Sequence, residues 1–64
     1  MNKLEKRVLE SLKDDLKAPY ELPKLLRMRR KAQLLKLMDT INILYSKDKI
    51  DVIEVNGIKK IYVK

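Results

Sequence analysis

Asn56-Gly57 lies between two six-residue runs, Ile50-Asp51-Val52-Ile53-Glu54-Val55 and Ile58-Lys59-Lys60-Ile61-Tyr62-Val63. Asn-Gly is the preferred pair for a two-residue type I′ turn, because both central residues must adopt a left-handed backbone. The dipeptide commits residues 50–63 to a hairpin and sets its register: Val55 opposite Ile58, Glu54 opposite Lys59, Val52 opposite Ile61, Ile50 opposite Val63. One face then shows Ile50, Val52, Ile61 and Val63, with Glu54 and Lys59 nearest the tip. The other shows Ile53, Val55, Ile58 and Tyr62 beside Lys60 and Asp51. That second face is more apolar than a fully solvated surface, which makes Ile53, Val55, Ile58 and Tyr62 candidates for contact with a homodimer mate or another protein. An isolated hairpin is marginal in water, so the remaining residues must give it something to pack on.

They do so as helices. Leu4, Val8, Leu12 and Leu16 recur every four residues, with Leu9 widening the stripe and charged residues between, which predicts an amphipathic helix over residues 2–17. Ala18-Pro19 ends it, since the residue before proline is driven out of the α region. After a short extended piece, Pro23 fits the first turn of a second helix over residues 21–27, with Leu22, Leu25 and Leu26 as its buried side. A third helix is expected over residues 30–46. Its apolar stripe is read as Leu34, Leu37, Met38, Ile41 and Tyr45, and its solvent face as Arg29, Ala32, Gln33, Lys36 and Thr40. The fold class is therefore α+β, mostly α, in a single domain over residues 1–64.

Charge is distributed unevenly over this framework. Residues 22–38 hold six basic side chains (Lys24, Arg27, Arg29, Arg30, Lys31, Lys36) and no acidic one, whereas the flanking stretches are nearly balanced. A positive excess confined to one stretch suits a polyanion, and nucleic acid is the commonest. The other reading is a solvated basic helix face with no partner. With neither cysteine nor histidine there is no disulfide framework and no zinc site of the usual kind, and no cofactor or small-molecule ligand is suggested. No phosphate loop, nucleophile–base pair or carboxylate cluster is found, and Asp14 and Asp15 are adjacent and so diverge on a helix. An enzyme is not expected. Nor is a membrane span or signal peptide, and the expected location is cytoplasmic, with nucleoid association if the chain binds DNA.

Three helices followed by a hairpin resemble the winged helix-turn-helix family. Glu21-Leu22-Pro23-Lys24-Leu25-Leu26 looks like that family's Glu-Leu-Ala-x-x-Leu second helix. Leu34, Leu37, Met38 and Ile41 match the spacing of its recognition helix, and Asn56-Gly57 with the returning strand looks like its wing. The resemblance implies double-stranded DNA binding by a transcriptional regulator or chromatin-type protein, with the third helix in the major groove. On this chain it implies Arg29, Gln33 and Lys36 at base edges, Lys24, Arg27, Arg30 and Lys31 on phosphates, and Lys59 and Lys60 as the wing contact. Alternative roles stay open: Arg30 snorkelling over the core, Gln33 and Thr40 as plain polar surface, Lys59 as the mate of Glu54. The turn between the second and third helices carries Arg27-Met28-Arg29 where the family usually has a small residue, which adds cations for phosphate contact. The same fold also serves as a protein-interaction subunit or adaptor in larger complexes, and RNA binding is a third reading without aromatic-basic interleaving to support it.

Overall fold

The computed structural model describes residues 2–64. Asn2 caps the first helix, α1 (Lys3–Leu12), by accepting from the Glu5 N–H at 2.8 Å. The chain then bends through residues 13–15 and runs extended to Lys17. A single 3-10 turn at Pro19–Glu21 leads into the four-residue α2 (Leu22–Leu25). After it come α3 (Lys31–Ser46) and a two-stranded antiparallel sheet of β1 (Ile50–Val55) and β2 (Ile58–Val63). This is an α+β fold. Among the described residues, no helix is long and apolar enough to cross a membrane.

The hairpin has the register that Asn56-Gly57 implies, from Ile50 opposite Val63 to Val55 opposite Ile58. Asn56 and Gly57 take φ of 51° and 79°, the two left-handed positions of a type I′ turn. The helices cover only the base of the hairpin: Ile50 and Ile61 are buried, while Val52 and Val63, expected on the core face, are largely exposed. The core gathers Val8 and Leu12 of α1, Leu22 and Leu26, Leu37 and Leu44 of α3, and Ile50 and Ile61 of the sheet.

Three expectations need correction. The first helix ends at Leu12, not at residue 17, because Lys17 is drawn into the sheet: its N–H donates to the Ile61 carbonyl at 3.0 Å and its carbonyl accepts from the Ile61 N–H at 2.8 Å. The second is one 3-10 turn plus one α turn instead of a continuous helix over residues 21–27, and Leu25 points to solvent. The third concerns the phase of α3. Its buried line is Leu37, Thr40 and Leu44, with Leu34 and Ile41 half-buried, whereas Met38 and Tyr45 are exposed. Thr40, expected at the surface, is buried and donates its hydroxyl to the Lys36 carbonyl at 2.8 Å, so it needs no outside partner. Apolar residues cover most of the circumference of this helix, and docking against α1 and β1 selected a line offset from the one with the most regular spacing.

Glu5 is, with Thr40, an unanticipated buried polar residue. It lies on the buried side of α1 with Val8 and Leu12, only 4% exposed. One carboxylate oxygen is 3.7 Å from the Lys47 ammonium, and the other has no hydrogen-bond partner.

Candidate nucleic-acid interface

The basic stretch is shaped by the way α2 stops. The Met28 N–H donates to the Pro23 carbonyl at 2.8 Å and the Arg27 N–H to the Lys24 carbonyl at 3.3 Å, the paired bonds of a Schellman ending. That ending needs a left-handed residue, usually glycine, and here it is Arg27 with φ 55°. The reversal leaves Arg27 in solvent and turns Met28 back toward the core. Pro23, Lys24, Arg27, Met28 and Arg29 line a shallow concavity at this corner.

Arg30 then takes an extended backbone and opens α3. It contributes no side-chain acceptor to the first turn. Gln33 supplies a bond from the other side: its Oε1 accepts from the Arg29 and Arg30 N–H groups, each at 3.3 Å. The amide oxygen that an adenine contact would need is therefore already engaged in holding the helix start. The N–H groups of the first turn point outward with the positive end of the helix dipole, and Arg29, Arg30 and Lys31 stand around them.

Lys24, Arg27, Arg29, Arg30, Lys31 and Lys36 are all exposed. The ion pairs found among the described residues are Lys47 with Glu5 and Lys64 with Asp48, so none of these six cations has a carboxylate within 4.0 Å. Lys59 is exposed on the hairpin face opposite Glu54, and Lys60 is half-buried beside Ile53 in the register. The structure thus brings the α2–α3 corner and the start of α3 together and sets the two hairpin lysines apart, on a separate element.

Sequence reasoning missed two cations. Lys3 and Arg7 of α1 line a second concavity with Leu4, Met28, Gln33 and Lys36, which joins the first helix to the basic face. Arg7 also donates from Nη2 to the Leu26 carbonyl at 3.0 Å, tying α1 to the end of α2. Their four-residue spacing puts them on one side of a helix, but only the packing of α1 on α3 reveals which neighbour they meet. The exposed side of α3 beyond Lys36 carries Asp39, Asn42 and Ile43, so the positive surface is confined to the first half of the helix. Comparison with family models, characterised proteins and solved structures found no match to this chain.

Proposed function

We propose that this chain binds double-stranded DNA by its phosphates, through the α2–α3 corner and the first half of α3, as a transcriptional regulator or chromatin-type protein. One observation carries the reading: six exposed cations within residues 24–36 have no carboxylate partner among the described residues. A stretch of chain that keeps six cations solvated and unpaired, with Lys24, Arg27 and Arg29 gathered at one corner, gains most from a partner that gives up condensed counterions on contact. The open first turn of α3 adds N–H donors suited to a phosphate oxygen.

The order of elements also supports a winged helix-turn-helix reading. Three helices precede a hairpin, and the extended piece after α1 pairs with the returning strand at Lys17 and Ile61. In that reading the hairpin is the wing, and Lys59 and Lys60 approach the backbone beside the helix. Engagement of the Gln33 oxygen, and the apolar and acidic residues further along α3, favour grip on phosphates over reading of bases. Affinity is then expected to vary little with sequence.

The test is a salt titration with random-sequence duplex DNA, comparing the wild type with an Arg29→Ala/Lys36→Ala double variant. Micromolar binding with a log–log slope of roughly −4 to −6 corresponds to four to six phosphates neutralised, and the double variant should reduce the slope by about 2. Absence of binding at low salt, or an unchanged slope in the double variant, would overturn the proposal.

A further inference from the structure

Part of the α3 side expected in the core instead forms one wall of an apolar trough, with Leu37 of that side buried in the core. Leu34, Met38 and Ile41 face Pro19, Tyr20 and Pro23 across it. Tyr45, Val52 and Lys59 line an adjoining concavity toward the hairpin, and the two share Pro19 and Ile41. Its walls carry apolar groups that folding has left in water: Tyr20 is 69% exposed, Met38 62%, Tyr45 54% and Val52 43%. Aromatic and methionine side chains are the types that adapt to a docked partner and contribute most to its binding.

We infer that this trough is the docking site for an amphipathic helix with an acidic polar face, supplied by a partner protein. The shape selects a helix. From Leu34 to Tyr45 the α3 wall runs about 16 Å, three helical turns. The opposite wall contains two prolines, which have no N–H to offer, so an extended strand would find no hydrogen-bond ladder there. A helix satisfies its own backbone and brings only a stripe of side chains. The charge selects the sign. Lys17 and Lys24 border the trough beside Tyr20, and Lys59 lines its far end. Of the neighbouring carboxylates, Glu21 is turned toward the backbone, accepting from the Ala18 N–H at 2.7 Å, and Glu54 stands opposite Lys59 in the ladder, which leaves Lys17 and Lys24 to set the sign of the border. A second copy of this chain would bring the same lysine border and a formal charge of +7 against it, whereas an acidic helix is complementary. The inference does not depend on the nucleic-acid reading.

A display library of helical peptides, about 16 residues long to span the trough with one turn to spare, tests it. The library holds the apolar stripe constant and varies the polar face between acidic and basic. The full chain, Met38→Glu and Tyr20→Ser serve as baits, with circular dichroism confirming that both variants keep the helical content of the wild type, as expected for such exposed positions. Acidic amphipathic peptides should enrich on the wild type and bind at least ten-fold more weakly to each variant. Enrichment of basic or non-helical peptides, equal binding to the variants, or no enrichment would overturn the proposal. So would sedimentation showing a wild-type dimer that Met38→Glu converts to monomer, since a second copy would then fill the trough. Tyr20→Ser should leave duplex binding within two-fold, separating this site from the basic face.

Discussion

Leu44→Ala and Tyr45→Ala are adjacent changes on α3 that should have opposite outcomes. Leu44 is 0% exposed and belongs to the core cluster, while Tyr45 is 54% exposed. Truncating a buried leucine removes its transfer free energy and leaves a cavity, together about 3 kcal/mol, within a range of roughly 2–5. A domain of this size has a total stability of about 3–10 kcal/mol, so Leu44→Ala should remove a large share of it and lower the melting temperature by more than about 10 °C. Tyr45→Ala loses little packing and gains several tenths of a kcal/mol in helix propensity, so its net effect should fall within about 0.5 kcal/mol of zero. Urea titration followed by far-UV circular dichroism measures both. Should Leu44→Ala fold too poorly for a baseline, Leu44→Met keeps the volume and should cost less than about 1.5 kcal/mol. A cost above about 2 kcal/mol for Tyr45→Ala, with a small one for Leu44→Ala, would refute the helix phase and the apolar trough with it.

Further expectations follow from backbone and charge. Arg27→Gly should raise stability by about 0.5–1 kcal/mol in chemical denaturation, because glycine holds the left-handed position without strain, while the lost cation should weaken duplex binding. Gly57→Ala should cost about 1 kcal/mol by the same measurement even though nothing lies within 4 Å of the added methyl, so the penalty is conformational and not steric. Glu5→Met should stabilise the fold by about 1–2 kcal/mol, since it removes a buried carboxylate with one oxygen unpartnered; a loss of stability in thermal melts would show that the Lys47 contact outweighs desolvation. The Asp48 carboxylate, accepting from the Lys64 ammonium, holds the Lys64 pKa above the ordinary lysine value. That pairing contributes below the ordinary value and is lost as pH rises through the raised one. The wild type should therefore lose stability in alkaline melts relative to Lys64→Met, and identical profiles would count against the pairing.

Much of the architecture is decided by local chemistry. Asn56-Gly57 permits few backbone conformations, and side-chain alternation carries that choice along both strands, so register is legible without any other part of the chain. Asn2 as an N-cap and Pro23 in a first turn are similarly local. The location of the positive excess is a property of composition alone, because no folding rearrangement brings an acid into residues 22–38.

Contacts between distant residues decided the rest. Residues 13–17 continue the helical spacing, yet two backbone bonds between Lys17 and Ile61 hold Lys17 in extended form. Glu5 shares the helical face of Val8 and Leu12, as Glu10 does not, but an apolar pattern passes over a carboxylate, and the packing of α1 against α3 is what buries it. Arg27 adopts a glycine conformation because the Schellman bonds at the end of α2 require it there. In α3, several apolar lines compete over one circumference, and their spacings differ too little for periodicity to choose. The choice fell to whichever line matched the surfaces of α1 and the hairpin base, which buried Leu44 and Thr40 and left Met38 and Tyr45 in water. Local rules settle which elements form. The side each one buries is settled only when another element covers it.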